Sequence, residues 1–223
     1  MTPFASEEQK IYNAVKSLYT AQGRNPILAP STVRLEVAAS TSSNQFNFSL
    51  FDYEALNFNT ELRLNQQDNF TAVYWGLFAA KPGSATAINF DLYSYGNESV
   101  FSASNTGESV NGALQQGYIS VVVNNVKYID RYSSRKFINR GFTQTGAGYG
   151  VNDGTTPLVT STVQDQVDGW SGLSPVGSLF TLRGNANVQI SFNIPTTMTA
   201  VESNQRWVLL MYGYKALDGS KTA

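Results

Sequence analysis

The sequence predicts an all-β protein with one α-helix at its N-terminus. Apolar and polar residues alternate in short segments along the chain, a period of two that is typical of antiparallel strands with one face in a core and the other in water. No helical periodicity recurs after residue 23, which argues against folds that alternate strands with helices. The segments that alternate most clearly span residues 33–37, 45–50, 61–64, 88–92 and 188–194.

The composition supports a folded core and excludes several kinds of chemistry. Hydrophobic residues make up 42% of the 223 residues and charged residues 14%, which is ample for a core and unlike a disordered chain. The chain has no cysteine and no histidine, which excludes disulfides, the usual zinc sites and imidazole-dependent catalytic triads. A net charge of −1 gives no global electrostatic reason to bind nucleic acid.

The N-terminus lacks the pattern of a secretory signal. It has no basic stretch followed by an apolar one, and no apolar run approaches the roughly 20 residues that a membrane-spanning helix needs. We therefore expect a protein that is made in a cytoplasm and is soluble, or joins an assembly, there.

The first 23 residues predict an amphipathic helix. Ser6 and Gln9 have the spacing of a capping box, and Gly23 suits the end of the helix. The apolar face can dock on the protein's own body, or it can belong to an arm that packs on a neighbouring subunit or on a membrane surface. The apolar residues at helical spacing are Ile11, Val15 and Leu18, flanked by Tyr12 and Tyr19.

Two later segments predict particular strand arrangements. Residues 121–129 are a hairpin candidate, because Asn124 and Asn125 suit the positive φ angles of a type I′ turn. Residues 206–214 are apolar on both faces, as expected for a strand buried between two layers. The whole chain holds roughly a dozen strand candidates, which exceeds the ~8 strands of one jelly roll.

Residues 141–177 differ from the rest of the chain because they are rich in Gly, Thr and Ser and show little periodicity. A loop of this length inside a compact domain usually has a binding or assembly role. Ordering it costs about 1–2 kcal/mol per residue of backbone, which a neighbouring subunit's surface can offset. We therefore expect an obligate homo-oligomer, preferably a trimer. Its interface candidates are Tyr149, Val151, Leu158 and Trp170 in this loop, and Ile11, Val15 and Leu18 in the helix.

The acidic residues give weak signals for catalysis or metal binding. Asp52 and Glu54 would share one face of a strand, as the two carboxylates of a glycosidase must converge, but a third acid at matching spacing is absent. Asp165, Asp168 and residues 152–154 lack the spacing of a calcium loop, and Asn-Asp-Gly is a turn sequence. We therefore expect no enzymatic activity, no metal and no cofactor.

A third of the basic residues lie within one short stretch, residues 127–140, interleaved with aromatic side chains. Such a mixture can follow phosphates or stack on bases. If the stretch is a strand, however, the cations divide between its two faces, so salt bridges to a neighbouring subunit are favoured over nucleic acid. The cluster consists of Lys127, Arg131, Arg135, Lys136 and Arg140.

The tryptophans offer a competing function of another class, a carbohydrate-binding (lectin-like) β-sandwich module. Trp75 and Trp207 lie in strongly apolar runs and are expected in the core. Trp170, within Asp-Gly-Trp-Ser-Gly, is the one candidate for an exposed platform on which a sugar could stack.

One segment carries a family resemblance. Residues 61–81, Glu-Leu-Arg-Leu-Asn-Gln-Gln-Asp-Asn-Phe-Thr-Ala-Val-Tyr-Trp-Gly-Leu-Phe-Ala-Ala-Lys, place a strand, an Asn/Asp turn and a long aromatic strand in succession. This style resembles the jelly-roll capsid proteins of tailless, icosahedral, membrane-containing bacteriophages. The resemblance implies upright β-barrels, often two per chain, in trimers that tile a shell around an internal membrane. A single roll with long loops, as in vertex (penton) proteins, is the alternative.

These observations together predict a jelly-roll protein, with a compact double roll favoured over a single roll. The expected organisation is a helix and extended arm over 1–30, a first barrel over 31–124, a second barrel over 125–217 and a frayed tail over 218–223. The resemblance implies a structural protein of the virion that self-assembles into a capsid. Its expected partners are further copies of itself, other capsid or vertex proteins and, through the arm, an internal membrane.

Overall fold

The computed structural model describes residues 3–50, 69–84, 92–94, 116–137, 173–184, 186–198, 201 and 203–217. These residues are mostly β, as the alternating pattern predicts, with one α-helix at the N-terminus. Their elements are α1 Pro3–Thr20, β1 Ile27–Ala38, β2 Gln45–Phe48, β3 Asn69–Ala80, β4 Tyr93–Ser94, β5 Tyr118–Val123, β6 Val126–Ser133, a 3-10 helix Ser134–Phe137, β7 Ser174–Arg183, β8 Val188–Asn193 and β9 Arg206–Leu217.

The strands form two antiparallel sheets. In the first sheet the order is β1-β9-β3, and the far edge of β3 pairs with β7 along its first half and with β4 at Phe78 and Ala79. In the second sheet the order is β2-β8-β5-β6. Four of the pairings are nested along the chain, so strands of its first half pair with strands of its second half. They are β1 with β9, β2 with β8, β3 with β7 and β5 with β6.

The two sheets share one hydrophobic core. Its buried residues come from β1, β3, β7 and β9 of the first sheet and from β2, β5 and β8 of the second. Trp207 of β9 joins the layers, because its ring meets those of Phe46 and Phe192 edge-on at centroid distances of 5.9 and 5.4 Å. Edge-to-face aromatic pairs of this kind stabilise a core beyond their area burial, by about 0.5–1.5 kcal/mol each.

The expectation that β9 is buried on both faces is confirmed. Trp207, Leu209 and Met211 face the second sheet, while Val208 and Ala216 are buried on the opposite face. A strand with two buried faces lacks the alternation of a solvated strand, which explains its continuous apolar sequence.

The helix starts earlier than its capping box predicts. It begins at Pro3, so Ser6 lies within the helix and is not its N-terminal cap. Proline suits a first helical position, because the N–H that it lacks would have no partner there. The predicted end is confirmed: Gly23 has φ 74°, and the N–H groups of Arg24 and Gly23 donate to the carbonyls of Tyr19 and Thr20 at 3.0 and 2.9 Å, a Schellman motif.

The predicted hairpin is also confirmed. Asn124 and Asn125 connect β5 to β6 with φ angles of 50° and 64°, the positive values that a type I′ turn requires. The turn is anchored, since the Asn124 N–H donates to the Asn187 carbonyl and its side-chain oxygen accepts from the Asn187 N–H.

The described strands do not pair as two separate barrels over 31–124 and 125–217 would. The proposed boundary falls in the β5–β6 turn, and strands on its two sides pair with each other in both sheets. Residues 27–30, assigned to an extended arm, already belong to β1 and pair with β9. Alternation shows that a strand has a core face, but it carries no information about which strand lies beside it.

A β-bulge in β3 shapes the outer face of the first sheet, the face away from the second sheet. The register with β9 shifts between Ala72 and Tyr74, so Val73 is an extra residue. Phe70, Ala72 and Trp75 face the core, whereas Val73 and Tyr74 both pack on the outer side. The bulge therefore supplies two consecutive side chains to one face, where a regular strand would supply one.

The strand opposite this bulge requires glycine. A Cβ on Gly213 would overlap the backbone carbonyl of Thr71. We expect Gly213→Ala to lower the free energy of unfolding by about 2–4 kcal/mol, because a buried backbone must move to relieve the overlap. Urea unfolding followed by circular dichroism measures this loss.

Gly83→Ala is the matched control. A Cβ there meets nothing within 4 Å, so we expect a change within about 0.5 kcal/mol. A loss below about 1 kcal/mol in Gly213→Ala would contradict the tight approach of β3 and β9 at the bulge.

Candidate functional site

Many of the candidate residues lie outside the residues that the structure describes. Within the described ranges, no group of three or more acidic, cysteine or histidine side chains could hold a metal ion. In the same ranges, no helix is both long and apolar enough to cross a membrane. The candidates outside the described residues are Tyr149, Val151, Leu158, Trp170, Arg140, Asp52, Glu54, Asp165 and Asp168.

The helix docks on the outer face of its own first sheet. Val15 and Tyr19 are buried there, with Ile11 and Tyr12 partly buried against the same cluster. Positions 11, 15 and 19 follow each other by one helical turn, which places them on one side. Ile11 and Val15 are therefore used within the chain, as the own-body interpretation predicts, whereas Leu18 is turned outward and is 37% exposed.

A chain of hydroxyl groups fixes the position of the helix. The Tyr19 hydroxyl lies 2.9 Å from Thr71 Oγ1 on β3, and Thr71 Oγ1 lies 3.0 Å from Thr181 Oγ1 on β7. Thr71 is fully buried, so it needs these partners to avoid the cost of an unmet hydrogen bond. Apolar contact alone would let the helix slide along the sheet. The hydrogen bonds between these three hydroxyl groups select one docked position.

Removing the Tyr19 hydroxyl tests whether these hydrogen bonds hold the helix in place. We expect Tyr19→Phe to lower the free energy of unfolding by about 1 kcal/mol, because one buried hydrogen bond is lost while the ring still packs. Urea unfolding gives the value. Tyr12→Phe is the control, because the Tyr12 ring packs edge-on against Tyr214 at 5.7 Å and keeps that contact without its hydroxyl. Equal losses in the two variants would contradict a specific role for Tyr19.

Several tyrosines lie where the helix meets the sheet, and two of them have a raised pKa. Burial raises the pKa of Tyr214 above its ordinary value of 10.0, and the neighbouring Tyr212 and Glu8 add to the shift. Burial and then Glu8 raise the pKa of Tyr212 in the same direction. Glu8 lies on the helix, so the docked helix adds to the preference for the neutral phenol at both positions.

This shift predicts a loss of stability at alkaline pH. A raised pKa means that the folded state holds the phenol proton more tightly than the unfolded chain does. The stabilisation is therefore complete below the ordinary value of 10.0 and declines as the pH rises above it. We expect Tyr212→Phe/Tyr214→Phe to reduce this decline in urea unfolding between about pH 8 and pH 11.

The matched control is Tyr128→Phe, since Tyr128 is an exposed tyrosine away from the helix. It should leave the alkaline decline as it is in the parent chain. An unchanged decline in the Tyr212→Phe/Tyr214→Phe variant would contradict a link between these phenols and helix docking.

An ion-pair cluster lies elsewhere on the outer face. Glu36 on β1 forms an ion pair with Arg34, whose Nε lies 2.8 Å from its carboxylate, and accepts a hydrogen bond from Arg206 Nη1 on β9 at 2.7 Å. The three side chains are 11–19% exposed, so the pairs are less screened than pairs in open water. The sequence hints at this cluster only through the alternation of charge on β1, because Arg206 is 170 residues from Glu36. The Glu36–Arg206 ion pair links β1 to β9 and so supports their pairing.

The basic residues gather at the margin of the second sheet, where β6 and the 3-10 helix form the end of the strand order. We call this region the β6 margin; its basic side chains are Lys127, Arg131, Arg135 and Lys136, all exposed. The strand on which the predicted division of these cations depends ends at Ser133, and Arg135 and Lys136 lie in the 3-10 helix that follows.

Three of these cations have contacts with residues close by. Lys127 forms an ion pair with Asp130 at 2.9 Å. The Arg131 guanidinium lies 4.8 Å from the centre of the Tyr118 ring, and Lys136 Nζ lies 4.9 Å from that of Tyr132. Cation–π contact holds a charge in place without neutralising it. Arg131 and Lys136 therefore keep their full positive charge at the surface.

The β6 margin is tied firmly to the rest of the fold. The Tyr132 ring packs on Trp75 at 4.8 Å, and its hydroxyl donates to the Pro175 carbonyl at 3.2 Å. Ser174 Oγ donates to the Lys136 carbonyl at 3.0 Å, and Ser134 donates to the Gly117 carbonyl. The cations thus sit on a backbone whose position both sheets fix.

The register of β6 is irregular. Its pairing with β5 shifts between Ile119 and Val121 and again between Val121 and Val122. Bulges and charged side chains on an edge strand hinder the addition of a further strand. The β6 margin is therefore poorly suited to pairing with the strand of another protein.

The second sheet's outer face is polar and largely uncharged near β2 and β8. The Gln45 side chain donates to Asn47, that of Asn193 donates to Ser191, and Ser191 and Ser120 share a hydrogen bond of 2.7 Å. These groups satisfy one another in part, as in a solvated sheet face.

Comparison of the chain with protein-family models, with curated proteins and with solved structures finds no match. The functional argument therefore rests on the residues and geometry described above.

Proposed function

We propose that this chain is a structural, shell-forming protein of a virus capsid, built on a single jelly roll. The observation that carries the proposal is the nested pairing of β1 with β9, β2 with β8, β3 with β7 and β5 with β6. Nested pairing in two layers supports a jelly roll, a fold common in viral capsid and lectin domains.

Within this proposal, β4 is an addition at the edge of β3 and the remaining eight strands form the roll. The single core shared by both sheets supports one roll and not two. The proposal thus moves from the double-barrel capsid subunit that the sequence favours to the single-roll form, of which a vertex protein is one case.

The proposed mechanism is self-assembly without catalysis. The segment that resembles capsid proteins, residues 61–81, includes all of β3, the strand that binds β9, β7 and β4. Subunit contacts must use surface that the fold leaves exposed. The helix offers Leu18 for this purpose, because Ile11 and Val15 already pack on its own sheet.

For the competing lectin-like function, only one of the three tryptophans, Trp170, remains a candidate platform for a sugar. Trp75 and Trp207 are 0% exposed, so neither can serve as a platform for a sugar. Trp170 lies outside the described residues. A glycan array with the parent chain and Trp170→Ala would favour the lectin if binding occurs and the variant abolishes it.

The size of the protein in solution tests the proposal. We expect light scattering after size exclusion to give masses well above the 24.4 kDa chain, with a trimer as the smallest stable form, and negative-stain images to show closed shells. Leu18→Ser should weaken association, because it removes an exposed apolar contact. Lys16→Ser, an exposed neighbour on the same helix, should not. A monodisperse monomer at all concentrations would overturn the proposal.

A further inference from the structure

We propose that the β6 margin binds the phosphate backbone of single-stranded nucleic acid. This goes beyond the shell-forming role and does not rest on it, because the surface belongs to one folded chain. The sequence favoured salt bridges over nucleic acid on the ground that strand geometry would separate the cations. Arg135 and Lys136 lie in the 3-10 helix Ser134–Phe137, where the alternation of a strand does not apply.

The charge of the β6 margin is concentrated. Residues 127–136 hold four basic residues and one acidic residue, a net charge of +3, while the whole chain has −1. Lys127 is balanced by Asp130, but Arg131 and Lys136 are held by the rings of Tyr118 and Tyr132. A local charge of this sign attracts phosphates and makes their binding depend on salt.

The two ring-held cations lie close together along the chain. Arg131 and Lys136 are five residues apart, over the end of a strand and the 3-10 helix after it. At about 3.3 Å per strand residue and about 2 Å per 3-10 residue, their backbones are at most about 13 Å apart. Because the Tyr132 ring is anchored on Trp75 and on the Pro175 carbonyl, little side-chain entropy is lost at Lys136 when an anion binds.

The neighbouring apolar surface favours a nucleic acid over an acidic protein. Tyr128 is 52% exposed and Val126 is 57% exposed, both on the same edge strand as Arg131. An exposed tyrosine beside cations can stack on an unpaired base of a nucleic acid. An acidic protein would bind the cations through its carboxylates and would have no use for the tyrosine. The bulges of β6 also disfavour a protein partner that would add a strand.

Binding to a fluorescein-labelled oligothymidylate of about 16 nucleotides, followed by anisotropy between about 50 and 200 mM salt, tests this inference. We expect Arg131→Gln/Lys136→Gln to weaken binding at least about tenfold at the lower salt concentration. The slope of log K against log salt should shrink by about 1.4, which is two contacts of ~0.7 each. Tyr128→Ala should weaken binding about fivefold or more without changing that slope.

Lys10→Gln/Lys16→Gln removes the same charge from exposed positions on α1 and is the matched control. It should change the affinity by less than about twofold, and urea unfolding should show that every variant is folded. Equal losses in the two double variants would overturn the inference, because binding would follow net charge alone. So would the absence of oligonucleotide binding, tighter binding to phosphatidylglycerol vesicles, or a loss of oligomers with unchanged oligonucleotide affinity in Arg131→Gln/Lys136→Gln.

Discussion

The pairing of β9 with both β1 and β3 is the constraint on which the rest of the described structure depends. β9 runs antiparallel to both neighbours along almost its whole length. Its inner side chains, Trp207 foremost, contact the second sheet, and its outer side chains support the helix. Because both faces and both edges of this strand are occupied, a change in its register would disturb the core and the helix contact together.

The bulge at Val73 links the pairing of β9 with β3 to the docking of the helix. A regular β3 would turn only one of Val73 and Tyr74 outward, and the helix would lose part of the surface that it covers. Gly213 permits the bulge, and the Tyr19–Thr71–Thr181 hydroxyl chain then selects where the helix lies. A helix held so specifically is part of the domain, so only its exposed side, where Leu18 lies, is open to a further contact.

The nested pairing of strands also determines where charge is presented. Since β5 and β6 are the innermost pair, their hairpin ends the second sheet and leaves β6 at its margin. Arg131 and Lys136 are thereby exposed while their backbone is anchored through Trp75 and Pro175. An edge that resists strand addition but presents fixed cations suits a flexible polyanion better than a second sheet.

The sequence by itself determined what short-range physics controls: the strand class of 33–37, 45–48 and 188–193, the type I′ turn at Asn124–Asn125, the helix end at Gly23 and the double burial of β9. Each follows from local φ preference or from side-chain periodicity. Only the tertiary structure decided the partners of the strands, the union of both halves of the chain in one core, and the outward turn of Leu18. These depend on contacts between distant residues, such as Glu36 with Arg206, which periodicity cannot encode.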